Sequence, residues 1–149
     1  MTATTRDSTL TTVIDGAPAK LPYHRVLLVE DEVTLRRIVA RNLTSRGVEV
    51  SEAGTAVEAV RAVTVQHPDL VLLDINLPDQ TGWEVLRELK RRGNQVPTVV
   101  VSAVRVSQSR LDEFHPLAYL PKPFPIEALL RLVLGGGSPG QQERDPNFE

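Results

Sequence analysis

Four short apolar runs in the sequence stop at residues that can do chemistry. Arg25–Val29 (RVLLV) leads into Glu30-Asp31-Glu32, Leu70–Leu73 (LVLL) into Asp74, Thr98–Val101 (TVVV) into Ser102, and Ala118–Leu120 into Pro121-Lys122-Pro123. As parallel strands of one sheet, these runs would bring their carboxyl ends to a shared edge, where ligands bind in open α/β sheets. Glu30, Asp31 and Asp74 would then crowd together. Carboxylates about 4 Å apart repel by roughly 1–4 kcal/mol per pair at effective dielectrics between about 80 and 20. Either one of them holds a proton or a divalent cation neutralises them. An all-oxygen set with few carboxylates suits Mg²⁺, or Mn²⁺, with retained waters and a phosphate as co-ligand. The backbone carbonyl of Asn76 is a further candidate ligand. A lysine and a hydroxyl facing the same point complete a site for a phosphoryl group. Lys122 and the cation would stabilise charge on its oxygens, and Ser102 would donate a hydrogen bond. Asp74 is the candidate nucleophile, forming an acyl phosphate.

The elements needed to hold such a site are legible around it. Leu35, Ile38, Val39 and Leu43 form a helical stripe that stops at Gly47. Val48–Glu52 reads as a short strand. Thr55 to Glu58 has the form of a capping box opening a helix to about Gln66. Val85, Leu86 and Leu89 mark a third helix ending before Gly93, and a weaker helical stretch near Gln108–Phe114 is cut off by Pro116. Ile126, Leu129, Leu130 and Val133 give a last stripe, opened by Pro125 and stopped by Gly135. Five strand–helix units in alternation mean a parallel sheet wrapped by helices on both faces. Pro78 and Gly82 shape the loop after Asp74, and Trp83 reads as packing.

Composition narrows the field. The 149 residues include no cysteine, which excludes a disulfide framework and a thiolate metal site. The formal charge is -2, and the body 23–134 carries equal numbers of basic and acidic residues. A polyanion-binding surface is not expected from that balance, nor is membrane insertion, since no apolar run is long enough to span a bilayer. Residues 1–22 (Thr-rich) and 135–149 (Gly, Pro and Gln-rich) read as flexible tails, leaving 23–134 as the folded domain, cytoplasmic and without an effector domain. Arg87, Arg91 and Arg92 stand at helix spacing from Glu84 and Glu88, which makes them a solvated, ion-paired face. Arg36, Arg37 and Arg41 are open to a partner role.

Taken together, VLLVEDE (26–32), PDLVLLDINLPDQTGWEVL (68–86), PTVVVSA (97–103) and YLPKPF (119–124) resemble the receiver domain of two-component response regulators. The resemblance implies a flavodoxin-like (βα)5 fold with strand order 2-1-3-4-5 and Asp74 as phosphoacceptor. It further implies Glu30 and Asp31 as the acidic Mg²⁺ pair, Ser102 as switch hydroxyl, Tyr119 as switch aromatic and Lys122 as phosphate contact, with Pro123 in a cis bond shaping the loop. The phosphodonor it implies is a sensor histidine kinase or histidine phosphotransfer protein, docking on the first helix. Output would pass to a downstream effector protein or along a phosphorelay. On this reading the chain is not an enzyme beyond its own phosphotransfer and slow dephosphorylation. Val104, two beyond the switch serine, is apolar and offers no help to an attacking water. The stretch from Ser102 to Lys122 is short for the family, and His115-Pro116-Leu117-Ala118 replaces the usual turn before the fifth strand.

The alternative is a phosphorylation-independent interaction module of the same fold. An aspartyl-nucleophile phosphatase is disfavoured, because Asn76 stands where those enzymes carry a second Asp. A flavin-binding flavodoxin fares worse still: Glu30-Asp31-Glu32 would repel a phosphate, and no Gly-rich phosphate loop is present.

Overall fold

The computed structural model describes residues 21–135. The chain alternates β1 (Arg25–Val29), α1 (Val33–Thr44), β2 (Glu49–Ala53), α2 (Ala56–Gln66), β3 (Leu70–Asp74), α3 (Gly82–Arg91), β4 (Thr98–Ser102), α4 (Gln108–Phe114), β5 (Ala118–Pro121) and α5 (Ile126–Leu134). All four ladders are parallel and the order is β2-β1-β3-β4-β5. This is the flavodoxin-like, doubly wound arrangement. Of the tails read at 1–22 and 135–149, residues 1–20 and 136–149 lie outside the described residues.

Alternation along the strands builds two cores. Val26, Leu28, Leu70, Leu72, Val99 and Val101 pack with Val39 and Leu43 of α1 and Leu129 and Val133 of α5. Leu27, Val29, Val71 and Leu73 face the other way, onto Ala56, Ala59 and Val63 of α2 and Val85 and Leu89 of α3. Strands covered on both faces must be apolar throughout, and β3 and β4 are buried at every position. Burying a Leu or Val side chain contributes about 1.5–3 kcal/mol, so these central strands anchor the sheet. Their last residues, Asp74 and Ser102, are carried into the interior with them. At the β1 end Leu21 also packs on the core, so packing begins just before residue 23.

Two local readings shift. Ile38 is 49% exposed, because the buried arc of α1 centres on Val39, Ala40 and Leu43 and leaves Ile38 on the far side. Thr55 caps α2 as read, its hydroxyl accepting from the Glu58 N–H, but the return bond shifts by one residue: the Glu58 carboxylate accepts from the Gly54 N–H. The ion pairs read on α3 are present, Glu88 meeting both Arg91 and Arg92 and Glu84 meeting Arg87. Hydrogen bonds from Arg91 and then Arg92 hold the Glu88 carboxyl down to about 2. Helix α4 has only seven residues and buries none. It closes at His115, whose φ of 48° is left-handed.

Candidate functional site

β1 and β3 are neighbours, so the residues that follow them emerge side by side at the carboxyl edge. One carboxylate oxygen from each of Glu30, Asp31 and Asp74 lies within 4.8 Å of the others. Glu30 and Asp74 are buried and Asp31 is exposed, so the cluster opens to solvent on one side. Lys122, arriving from β5, places its Nζ 2.8 Å from Glu30 Oε1 and 3.1 Å from Asp74 Oδ2. The peptide between Lys122 and Pro123 is cis.

Backbone groups complete the acids' coordination. The Glu32 N–H donates to Glu30 Oε2 at 3.1 Å, and the Asn76 N–H donates to Asp74 Oδ1 at 3.0 Å. Burial pushes the Glu30 carboxyl above its usual range, and the nearby Asp74 charge adds to the rise, against the pull of Lys122 and the Glu32 N–H. Burial alone would lower the Lys122 ammonium, but its hydrogen bonds to Glu30 and Asp74 outweigh that and raise it. Three carboxylates facing one ammonium leave two negative charges unmatched when all are ionised. That balance, in a set made only of oxygens with one solvent-facing member, fits a hard dication such as Mg²⁺.

The loop after Asp74 is held tightly. Asn76 and Thr81 form an isolated bridge, and the Gly82 N–H bonds the Ile75 carbonyl at 2.8 Å. A Cβ on Gly82 would stand 2.7 Å from the backbone oxygen of Asp74, so only glycine allows this approach. Pro78 sits in this loop on the exposed side. Next to it Asp79 accepts hydrogen bonds from the Ala56 and Val57 N–H groups, at 2.8 and 3.1 Å. The loop after Asp74 is thereby tied to the N-terminus of α2. The Ala56 hydrogen bond is the main cause of the lowered Asp79 pKa.

Two expected site residues are placed differently from the acids. Ser102 is buried, but its hydroxyl donates to the Val104 carbonyl at 2.8 Å and accepts from the Val104 N–H at 3.0 Å. It faces the β4–α4 loop. Tyr119 packs, partly buried, against the small cluster of Ile75, Trp83 and Val100. Trp83 itself stacks on Phe114, ring centroids 5.2 Å apart, with Arg110 over the Trp83 ring and Arg87 over Phe114. A cleft of about 290 Å³ lies between Asn76, Ser102, Trp83, Arg105 and Arg110, lined by the loop after Asp74 and by none of the three acids. A larger groove between α2 and α3 shares no residue with it.

Sequence reasoning missed Asp79 and the contacts of Arg36, one of the three arginines left open to a partner role. The guanidinium of Arg36 turns inward to Glu52 and to the Glu30 carbonyl, while Arg37 and Arg41 stay exposed. Neither contact has a local sequence signal, since the partners lie 16 to 23 residues away or on the backbone.

A model of the response regulator receiver domain matches residues 26–134. The chain belongs to that family. Among curated relatives, the response regulator MprA of Mycobacterium sp. (strain KMS) is 35% identical over 127 residues, covering 82% of this chain and 55% of the relative. MprA of Mycobacterium leprae is 36% identical over 111 residues, covering 73% of this chain and 49% of the relative. This receiver thus spans about half the length of the curated relatives it matches. Among solved structures, a CheY-like receiver domain protein from Methanospirillum hungatei JF-1 superposes with a TM-score of 0.68 at 26% identity, covering 81% of this chain and 97% of that one. The response regulator TrrA of Thermotoga maritima, solved in complex with Mg(2+)-BeF, superposes with a TM-score of 0.65 at 28% identity, covering 74% and 96%. Among the described residues no helix is long and apolar enough to cross a membrane.

Proposed function

We propose that this receiver takes a phosphoryl group on Asp74 from a phosphohistidine of a sensor histidine kinase or histidine phosphotransfer protein. The observation that carries the reading is the meeting of Glu30, Asp31, Asp74 and Lys122, drawn from three strand ends, in one half-buried cluster. Glu30, Asp31, Asp74 and the Asn76 carbonyl would hold Mg²⁺ or Mn²⁺, which supplies charge stabilisation at the phosphoryl oxygens. The solved complex of TrrA with Mg(2+)-BeF supports this assignment by analogy.

A carboxylate oxygen of Asp74 attacks phosphorus as the bond to the donor imidazole nitrogen breaks, and the electron pair leaves on that nitrogen. The hydrogen bonds from Asn76 and Lys122 fix the plane of the Asp74 carboxylate before attack. Lys122 then transfers its contact to a phosphoryl oxygen. The phosphorylated state draws Ser102 inward and lets Tyr119 follow, which moves the surface of α4, β5 and α5 read by a downstream effector protein. To reach the phosphoryl group Ser102 must give up its Val104 partners, each worth about 0.5–1.5 kcal/mol net. Two conformations separated by the sum of those two bonds, about 1–3 kcal/mol, can be biased by one new charged hydrogen bond worth about 1.5–3 kcal/mol. Beyond its own phosphotransfer and slow dephosphorylation no further catalysis is assigned, and the site of action is the cytoplasm.

Intact-mass measurement after treatment with acetyl phosphate and Mg²⁺ tests this. Wild type should gain the mass of one phosphoryl group and Asp74→Asn should not. An adduct surviving in the variant would move the site, and none in wild type would favour a phosphorylation-independent interaction module.

A further inference from the structure

We infer that Arg36 is a positioning residue for the cation site, an inference that rests on the reading of Glu30 and Asp31 as cation ligands. The ladder between β1 and β2 ends with Val29 opposite Ala53. One further sheet-like bond follows, from the Glu30 N–H to the Ala53 carbonyl at 3.0 Å. β2 then ends, and the Glu30 carbonyl takes its hydrogen bond from a side chain, Arg36 Nη1, at 2.8 Å. An orphaned backbone carbonyl in partly buried surroundings is costly. The same guanidinium is held by Glu52 Oε1 at 3.0 Å from Nε. Gly54 leaves the room: a Cβ there would stand 3.2 Å from Nη1.

The bonded carbonyl belongs to the peptide that joins Glu30 to Asp31. Fixing that peptide plane fixes how the buried Glu30 carboxylate stands relative to the exposed Asp31 carboxylate. Asp31 lies between β1 and α1, so no regular secondary structure does this for it. Arg36 thus does for the acidic pair what the Asn76 N–H does for Asp74. The sign of its effect is diagnostic. A guanidinium near a cation site repels the cation, so pure electrostatics makes removal of Arg36 tighten binding, and a merely structural Arg36 leaves binding unchanged. A positioning role alone predicts that removal weakens binding.

The test is Mn²⁺ titration of the full chain without phosphodonor, followed by the electron paramagnetic resonance signal of free Mn²⁺. Arg36→Met should lower Mn²⁺ affinity about tenfold, the lower end of what partners that orient metal ligands contribute. Arg36→Lys, which retains a donor, should recover part of the loss. Arg36→Leu, which likewise carries no donor, is read in the same way if Arg36→Met fails to fold, with circular dichroism and urea midpoints reporting the fold. Affinity equal to or above wild type in a folded Met or Leu variant overturns the inference and leaves the cation site standing. Wild type that binds no Mn²⁺, or Asp31→Asn that binds as well as wild type, overturns the cation site and the inference with it.

Discussion

Replacing Lys122 by methionine keeps most of the apolar stem and removes the ammonium that touches both buried acids. Glu30 and Asp74 then face each other with carboxylate oxygens within 4.8 Å. At an effective dielectric of about 20, two charges about 4.8 Å apart repel by about 3.5 kcal/mol. Removing one partner of a buried ion pair costs about 3–5 kcal/mol. Glu30 limits the damage, because burial already favours its protonated form and loss of Lys122 raises its pKa further. The expected loss of stability at neutral pH without divalent cations is about 2–4 kcal/mol. A carboxyl with a raised folded pKa favours the fold fully below its unfolded pKa, and that contribution is lost as pH rises through the folded value. The deficit of Lys122→Met relative to wild type should therefore be smallest toward about pH 5 and grow toward neutrality. Mg²⁺ at ten times the variant's Kd should return about 1.4 kcal/mol to it, and more than wild type gains at the same concentration, because the variant has no ammonium opposing the cation. Urea unfolding followed by circular dichroism, at both pH values and with Mg²⁺ or EDTA, measures all three quantities. A deficit that ignores both pH and Mg²⁺ would refute the electrostatic reasoning and make Lys122 a packing residue.

Gly82→Ala forces a Cβ to within 2.7 Å of the Asp74 carbonyl oxygen; a loss of about 1–3 kcal/mol in urea unfolding and slower phosphorylation by acetyl phosphate are expected, and an unchanged midpoint would show that the loop yields freely. Asp79→Asn weakens the tie to α2 and should lower the urea midpoint at neutral pH. Because the folded pKa of Asp79 is depressed, its contribution is present above the ordinary Asp range and fades as pH falls through the depressed value, so wild type and variant should converge in acid; a constant gap contradicts the assignment. Val104, 61% exposed beside the cleft, should leave the acyl phosphate long-lived, and decay of the phosphorylated protein within seconds would exclude that role.

The carboxyl-edge residues were legible because strand period and chain order alone carry Glu30, Asp31, Asp74 and Lys122 to one rim. A parallel sheet puts every strand's carboxyl end on that one edge, and the order implied by the family resemblance set which ends are neighbours. The same logic reached the α3 ion pairs, whose partners are three or four residues apart on one helix. It also placed Trp83 in packing, though not its stack on Phe114, which joins α3 to the short α4.

What tertiary structure alone decided was the direction of side chains with more than one partner in reach. Arg36 and Arg37 are chemically alike in sequence, yet one turns in to a backbone carbonyl at the end of β1 and the other faces solvent. Asp79 caps a helix whose first residues, Ala56 and Val57, precede it by more than twenty positions, and Ser102 spends its hydroxyl on Val104. Apolar periodicity is a local property, repeated at every turn of a helix or pleat of a strand, so the chain itself displays it. A hydrogen bond belongs to two groups at once, and which pair forms is settled only when packing has brought both to within about 3 Å.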